Sequence, residues 1–242
     1  MIIVFISVDL KRVLKITAYI ALIVAVLLLI IRLTGGKDTE TASAYTYTSE
    51  YTLVIDAGHG GIDGGAVSAS GVKESGINLD IALKTEAIAQ LLGINTLMTR
   101  TDDTDNSCAA PYSEHNNLLQ RAKLADSAEN AVLISIHQNT FPTQNVSGAE
   151  VMYAPTAGSE LLGSITQTNL VTCADPLNRR VARPAPKELL LTSSVHCPAI
   201  LVECGFLSNP GEAAKLSDNS YQLKLASVLA VSFLQFSQNQ IS

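Results

Sequence analysis

The sequence predicts an α/β domain built on a mixed, mostly parallel, twisted sheet that is flanked by helices. Short apolar runs of strand length alternate along the chain with longer segments in which apolar residues recur at helical spacing. This alternation is typical of layered folds in which helices pack on the faces of a parallel sheet. In such folds ligands bind outside the carboxyl ends of the strands, so we expect a functional site among the residues that follow strand ends.

The first part of the 242-residue chain precedes this domain and has the pattern of a membrane anchor. Residues 16–31 are apolar and uncharged, and basic residues lie on both sides of them. The run approaches the length of about 20 residues that spans a bilayer, and the basic cluster before it predicts an inside N-terminus. We expect a transmembrane signal anchor over residues 1–34, a polar linker over 35–50 and an extracytoplasmic catalytic domain over 51–242, held at the cell membrane.

A cleaved signal peptide is the alternative for this N-terminal segment. Ala42-Ser43-Ala44 has the small-residue form of a cleavage site. Several charged residues separate it from the apolar run, however, and this separation favours an uncleaved anchor.

The domain is predicted to begin with a buried strand at 51–56, whose Leu-Val-Ile run leads into a glycine-rich loop. From Ser75 apolar residues recur at helical spacing until Gly93, and glycine is a typical residue just after a helix. A second strand is predicted at 94–98, followed by a polar loop that contains proline. A short helix is predicted at 118–125.

The second half of the domain continues the alternation. Strands are predicted at 131–136, 148–153, 189–192 and 198–202, and helices at 159–172 and 221–236. The strand at 131–136 delivers His137 at its C-terminal end, and the strand at 198–202 presents Glu203 in the same way.

Charge and cysteine content exclude some partners and cross-links. The net charge of −6 and the pI of about 5.2 leave no basic patch for phosphate backbones, which argues against a nucleic acid partner. The cysteines are Cys108, Cys173, Cys197 and Cys204, and they form no CxxC pair. Cys197 and Cys204 flank one extended segment whose ends would lie about 20 Å apart, too far for a disulfide. We therefore expect small, unpaired thiols.

Four residues at predicted strand ends suit metal and acid–base chemistry: His59, Glu74, His137 and Glu203. Two histidines and a carboxylate with an open fourth position are typical of catalytic zinc sites. Zinc lowers the pKa of a bound water, and a separate carboxylate, for which Glu203 is the candidate, would transfer the proton. From spacing alone, Glu74 and Glu203 could equally be ordinary solvated carboxylates.

Other residues near these positions have weaker assignments. Asp56 and Asp63 are candidates for orienting the histidine ligands, or they only shape the turn. His115 and His196 lie in polar or irregular context and are expected at the surface or beside the ligand set. A Cys–His hydrolase is a further alternative, but neighbours such as His196 and Cys197 point to opposite faces of a strand.

Six segments carry a family resemblance in order along the chain. They are Ile-Asp-Ala-Gly-His-Gly-Gly, Lys-Glu-Ser-Gly-Ile-Asn-Leu, Met-Thr-Arg, Ser-Ile-His-Gln-Asn, Ser-Gly-Ala-Glu-Val and Leu-Val-Glu-Cys-Gly-Phe-Leu-Ser-Asn-Pro. These segments resemble the motifs of the zinc-dependent N-acetylmuramoyl-L-alanine amidases of amidase type 3, from about Val54 to the C-terminal helix. Within that family, the short anchored chain and the run at 98–105 are most similar to the sporulation amidases of spore-forming bacteria.

The resemblance implies one zinc ion held by His59, Glu74 and His137, with Glu203 as the catalytic carboxylate. The chain departs from the family pattern at three positions that bear no ligand. Ala57 stands where many members have proline, Gln138 where many have a small residue, and Asp126 where the family has asparagine.

The resemblance implies hydrolysis of the amide between the lactyl group of N-acetylmuramic acid and the L-alanine of the stem peptide in peptidoglycan. The sporulation-like features imply a role at the developing spore, in cortex maturation, where peptide removal precedes muramic lactam formation. An activating protein partner is compatible with this role. Asn139 and Arg100 are candidates for substrate contact.

Two rival functions stay open at this point. One is a non-catalytic peptidoglycan-binding or activator protein on the same fold, which would be expected to lack a ligand or Glu203. The other is a zinc carboxypeptidase that acts on stem peptides. It would need a cation near the substrate carboxylate, for which Arg100 and Arg183 are the candidates.

Overall fold

A computed structural model describes residues 49–105 and 112–241 of the chain. The expected anchor, most of the expected linker and Cys108 lie outside the described residues, so the anchor and the domain boundaries stay predictions. Among the residues described, every helix falls short of the length or the hydropathy that a membrane span needs.

Within the described ranges, the strands form one six-stranded sheet. They are β1 (Thr52–Ala57), β2 (Asn95–Met98), β3 (Ala131–Asn139), β4 (Glu150–Tyr153), β5 (Arg183–Pro184) and β6 (Ala199–Phe206). Their order across the sheet is β2-β1-β3-β6-β4-β5. β4 runs antiparallel to β6, and the other neighbouring pairs are parallel. The predicted mixed, mostly parallel sheet is confirmed.

Helices connect the strands and lie on both faces of the sheet. They are α1 (Glu74–Leu91), α2 (Glu114–Ser127), α3 (Ser159–Asn169), α4 (Leu190–Ser194), α5 (Pro210–Leu216) and α6 (Asn219–Ile241). A π-helical turn, Leu170–Ala174, continues α3. The four predicted helices are therefore present, although α2 and α6 extend beyond the predicted ranges because their ends carry polar residues that the apolar spacing does not capture.

Successive strand residues point to opposite faces of the sheet, and different helices pack on these two faces. α1, α3 and α6 bury one face, where Ile55, Ile134 and Val202 belong to the larger apolar core. α2 and α4 cover only part of the other face, where Leu133 and Ala199 belong to a smaller core. We call this second side the cleft face, since its carboxyl-end portion stays open and carries His137 and Glu203.

Two expectations about elements are wrong, and two short elements, β5 and α5, are not among those predicted. The run at 189–192 was expected as a strand, but it begins α4, which packs Leu191 into the smaller core as a single helical turn. His137 and Glu203 do not follow the ends of their strands, because β3 and β6 stay paired as far as Asn139 and Phe206. Helix α5 was not expected, although Asn209 caps it by accepting hydrogen bonds from two backbone N–H groups and Pro210 starts it.

Candidate metal centre

The glycine-rich loop after β1 carries the first histidine in a conformation that few side chains adopt. His59 has a φ of 61°, in the left-handed region, and the glycines around it take up the other positive φ angles of the turn. A Cβ atom added at Gly58 would lie 2.3 Å from the His137 ring, and one at Gly65 would lie 2.7 Å from Glu74 Oε2. Glycine is therefore required at both positions for the three functional side chains to approach one another.

His59, Glu74 and His137 form a group that we call the metal cluster. Glu74 Oε1 lies 3.2 Å from His59 Nε2 and 3.1 Å from His137 Nδ1. One ligand atom from each residue lies within 4.8 Å of the other two. Tetrahedral zinc with nitrogen and oxygen ligands holds neighbouring ligand atoms roughly 3.3 Å apart. The donor set and its spacing therefore fit one divalent ion of the zinc type.

Glu74 is held rigidly because it opens α1 and lies under the loop. Its Oε2 accepts a hydrogen bond from Ala66 N at 2.9 Å. Its Oε1 accepts from Gln138 N at 3.0 Å and from Asn78 Nδ2 at 3.2 Å. Burial alone would raise the pKa of Glu74, but His137 and His59 hold it well below its usual range. The carboxylate is therefore ionised and aimed between the two imidazoles.

The excess negative charge of the metal cluster acts on the histidines as well. Burial would lower the pKa of His59, but the hydrogen bond and charge of Glu74, together with Asp63, raise it to about 9. In the metal-free protein, a proton thus compensates for part of the carboxylate charge. A divalent cation would take over this role, since metal binding to imidazole displaces protons.

Asp63 fixes the orientation of the His59 ring. Its Oδ2 lies 2.7 Å from His59 Nδ1, and its Oδ1 accepts from Gly65 N at 3.0 Å. Tyr112 also donates to Oδ2 at 3.3 Å. With Nδ1 bound in this way, Nε2 is the nitrogen that faces Glu74, which is the arrangement found behind many histidine ligands.

Asp56 has a different partner, the buried Arg121. Arg121 is 1% exposed and donates from Nη1 to Asp56 Oδ1 at 2.7 Å. Thr99 and Ser135 also donate to the Asp56 carboxylate. Burial alone would raise the pKa of Asp56, but Arg121 and the two hydroxyl groups lower it to about 2. Asp56 therefore anchors an arginine and makes no direct contact with a histidine of the metal cluster.

Arg121 and Arg100 bind the backbone of the metal loop from behind. Arg121 donates to Ala57 O at 2.7 Å and to His59 O at 2.6 Å. Arg100 is 4% exposed and donates to Ala57 O at 2.8 Å and to Gly58 O at 3.0 Å. We call Asp56, Arg100 and Arg121 the arginine network. The sequence indicated no such role for either arginine, and carbonyl groups turned inwards by a loop leave no pattern in a sequence.

Neither candidate for substrate contact lies among the residues that line the cleft. Arg100 is buried behind the loop, with its donors engaged by backbone carbonyl groups. Asn139 ends β3, and its Oδ1 accepts from Thr140 N at 2.8 Å. Substrate contact by these two residues stays a prediction, and the geometry gives Arg100 a structural role instead.

The metal cluster opens into a cleft of about 200 Å³ on the cleft face. His59, His137 and Glu203 form its polar side. The apolar part of the lining consists of leucines from α2, from the start of α4 and from β6: Leu118, Leu189, Leu190, Leu191 and Leu201. The sequence does not predict the leucines of α4 as part of a site, because their pattern fits a strand equally well.

Glu203 lies directly beside the metal cluster. It pairs with His137 across β6 and β3, so the two side chains emerge on the same face. Its Oε2 is buried and has no hydrogen-bond partner among the described residues. Burial raises the pKa of Glu203 to about 7, with His137 opposing the shift and Glu74 and Glu150 adding to it. A carboxyl group that titrates near neutrality in this position is suited to proton transfer.

The described cysteines offer no thiolate nucleophile. Cys173, Cys197 and Cys204 are unpaired. Burial raises the pKa of Cys197 to about 11 and that of Cys204 to about 12. His196 is exposed and is bound by Asp126, whose Oδ2 lies 2.8 Å from its Nδ1. The geometry therefore does not support a Cys–His hydrolase, and it gives Asp126, at the position where asparagine was expected, a partner of its own.

Comparison with known proteins identifies similar sequences along most of the described chain. Residues 53–233 match the family model described as N-acetylmuramoyl-L-alanine amidase. The chain is 35% identical over 189 residues to the germination-specific N-acetylmuramoyl-L-alanine amidase of Bacillus subtilis, covering 76% of this chain and 78% of that protein. It is 30% identical over 181 residues to the amidase LytC of the same organism, covering 74% of this chain and 34% of that protein.

Solved structures show the same fold. The CwlD amidase from Clostridioides difficile, solved in complex with the GerS lipoprotein, superposes with a TM-score of 0.68 at 32% identity, covering 76% of this chain and 97% of that one. The amidase AmiC2 of Nostoc punctiforme gives a TM-score of 0.68 at 27% identity, covering 79% of this chain and 99% of that one.

Proposed function

The chain belongs to the N-acetylmuramoyl-L-alanine amidase family, and we propose that it cleaves the amide between N-acetylmuramic acid and L-alanine of the stem peptide in peptidoglycan. One observation carries this proposal. A buried carboxyl oxygen of Glu203, without a partner among the described residues, shares a cleft with two histidines of the metal cluster. Such an oxygen is positioned to exchange a proton with a reacting group, and no structural contact accounts for it.

In this proposal His59 Nε2, Glu74 Oε1 and His137 Nδ1 hold one zinc ion. When bound, zinc supplies a Lewis acid that polarises the scissile carbonyl and lowers the pKa of a coordinated water. Three protein ligands would match the number that catalytic zinc sites use. Asp63 supports the site by keeping the Nδ1 proton of His59 in place, so that Nε2 is available.

Glu203 acts first as a base and then as an acid. Ionised, it accepts the proton of the attacking water, and protonated, it donates that proton to the departing nitrogen of L-alanine. In the metal-free protein, burial raises its pKa to about 7, well above the usual range of a carboxyl group, which favours a group that can hold a proton as well as release it. The leucines that share the cleft with Glu203 make its lining partly apolar, and low polarity strengthens charge interactions there.

The biological setting that we propose is maturation of the spore cortex, with peptide removal before muramic lactam formation. The resemblance to a germination-specific relative and to CwlD supports this setting. We also propose an N-terminal membrane anchor, and an activating partner that binds outside the cytoplasmic membrane, because CwlD was solved with a lipoprotein. Muropeptide analysis of spores from a deletion strain tests the setting: muramic lactam should be lost, and unchanged lactam content would contradict it.

Product analysis tests the proposed reaction itself. The zinc-loaded protein should convert purified muropeptides into peptide-free sugar chains and intact stem peptides that begin with L-alanine. Release of a single terminal amino acid would instead identify a zinc carboxypeptidase. Absence of any product, with muropeptides still bound, would identify a non-catalytic binding or activator protein.

A further inference from the structure

Two arginines lie on the cleft face beyond Glu203, towards the β5 edge of the sheet. Glu150 of β4 pairs with Glu203 of β6, and Met152 pairs with Leu201. Arg183 of β5 pairs in turn with Met152. Because paired residues emerge on the same side of a sheet, Arg183 shares its face with Leu201 and Glu203, which both line the cleft.

The Arg183 side chain reaches back to the level of the catalytic carboxylate. Its Nη2 donates to Glu150 Oε2 at 3.1 Å, and Glu150 is the direct cross-strand neighbour of Glu203. Two strand spacings separate Glu203 from β5, which amounts to about 10 Å. An extended peptide advances roughly 3.3–3.6 Å per residue, so this distance corresponds to the second or third residue beyond a bond held at Glu203.

The charges at this position do not balance. Arg180 Nη1 donates to Glu150 Oε1 at 3.2 Å, so one carboxylate serves two guanidinium groups. Arg180 makes two further contacts: its Nε donates to Ser147 O, and its Cζ lies 4.7 Å from the centroid of the Phe206 ring. Arg183 makes one side-chain hydrogen bond to the described residues, and its side chain is 46% exposed. One positive charge with spare N–H donors therefore faces solvent.

At the metal loop, the charges that line the cleft are paired. Asp56 binds Arg121, and Asp63 Oδ2 lies 2.7 Å from His59 Nδ1. The surplus of positive charge at β5 therefore has no counterpart among these paired residues. A ligand with a carboxylate on one side of its scissile bond would be oriented by this difference, because the arginines attract the carboxylate towards β5.

We propose that Arg183, held by Glu150 and backed by Arg180, binds a free carboxylate of the stem peptide two or three residues from the scissile amide. This inference rests on the proposed amidase function and adds its peptide selectivity. The guanidinium fork of Arg183 suits a carboxylate, and the partner carboxylate of Glu150 keeps the side chain extended towards the cleft instead of into solvent. The expected preference is for acidic over amidated stem peptides.

The test compares two muropeptides that differ only in the second peptide residue, which carries a free carboxyl group in one and a carboxamide in the other. Binding to the full-length Glu203→Gln protein is measured by calorimetry. The acid should bind roughly three- to tenfold more tightly than the amide. Arg183→Gln, introduced in the same background, should abolish this difference, while Arg183→Lys should keep part of it.

Arg179→Gln is the matched control. Arg179 is an exposed arginine of the same segment that donates to the backbone carbonyl groups of Pro176 and Asn178, so its loss should leave the preference unchanged. Equal binding of acid and amide by the parent protein, or an undiminished preference in Arg183→Gln, would overturn the inference. Turnover separates the two proposals: a zinc-loaded wild-type protein that binds the acid selectively but releases no stem peptide would refute the amidase function alone.

Discussion

The metal cluster and the arginine network lie side by side at the carboxyl end of the sheet, and they differ in how completely their charges are met. In the arginine network, Arg121 and Asp56 are each 1% exposed and are bound to one another and to neighbouring polar groups. In the metal cluster, one carboxylate faces two imidazoles, and Glu203 beside it has a buried oxygen without a partner among the described residues.

This difference indicates that the arginine network stabilises the loop, whereas the metal cluster binds a ligand. A network whose charges are paired and whose donors are largely engaged by loop carbonyl groups stabilises the loop. A cluster with excess negative charge and an unsatisfied oxygen is costly for folding unless a ligand completes it. We therefore expect substitutions in the arginine network to act on stability and those in the metal cluster to act on metal binding and turnover.

The largest effect is expected from Glu74→Gln. The amide keeps the shape of the side chain but removes the negative charge that a divalent ion needs, so the protein should lose its zinc and at least about 1,000-fold of its activity. Metal analysis and stem-peptide release measure the two losses. The fold should persist, because the amide oxygen can still accept the hydrogen bonds that Glu74 Oε1 accepts from Gln138 N and Asn78 Nδ2. A Glu74→Gln protein with one zinc per chain would contradict the assignment.

Arg121→Met should have the next largest effect, and on stability first. It leaves Asp56 as a buried carboxylate without its arginine, which typically costs about 3–5 kcal/mol. Denaturant unfolding measures this loss. Arg179→Met, at an exposed arginine, is the control and should change the free energy of unfolding by less than about 0.5 kcal/mol. Equal stabilities of the two variants would show that the network is not structural.

Asp63→Asn should affect metal affinity without a large change in stability. Without the carboxylate, the orientation of the His59 ring is held less firmly. Removal of such a partner typically lowers metal affinity by about 10- to 100-fold. Competition with a zinc chelator measures the affinity. Asp80→Asn, at an exposed position of α1, is the control and should bind zinc as the wild type does. Unchanged affinity in Asp63→Asn would remove Asp63 from the site.

The smallest expected effect is a change in how the free energy of unfolding depends on pH. The pKa of Asp56 is about 2 in the folded protein and 3.8 in its ordinary range, so the folded form binds the proton less tightly. The stabilisation from ionised Asp56 is therefore fully present above pH 3.8 and is lost as the pH falls towards 2, by about 2 kcal/mol. Metal-free Asp56→Asn should lack this part of the pH dependence. Denaturant unfolding across this pH range measures the difference. Parallel curves of unfolding free energy against pH for the wild type and Asp56→Asn would contradict the prediction.

Much of the fold could be predicted because most of its strands contain short apolar runs with clear ends, whereas β5, the exposed pair Arg183–Pro184, does not. The run at 189–192 could not be assigned by the same rule, since four apolar residues fit a strand or one helical turn equally well. The helical conformation of this run depends on tertiary packing, because Leu191 packs into the smaller core on the cleft face. Helix α5 did leave a sequence pattern, the capping Asn209 followed by Pro210, and this pattern could have identified it.

The site was less predictable in its surroundings than in its main residues. Histidines and carboxylates near strand ends indicated which groups could meet, and the structure brings His59, Glu74, His137 and Glu203 together. Partners that depend on strand register or on loop carbonyl groups left no such pattern. The position of Glu150 beside Glu203 depends on the antiparallel register of β4 and β6, which a single sequence does not specify.

The most direct test of the division between metal binding and proton transfer is Glu203→Gln, with zinc content and stem-peptide release measured on the same preparation. We expect about one zinc per chain, as in the wild type, and a loss of activity of roughly 100- to 10,000-fold. This pairing separates it from Glu74→Gln, which should lose both. Substantial stem-peptide release by Glu203→Gln, or the loss of its zinc, would contradict the role of Glu203 as the proton-transferring group.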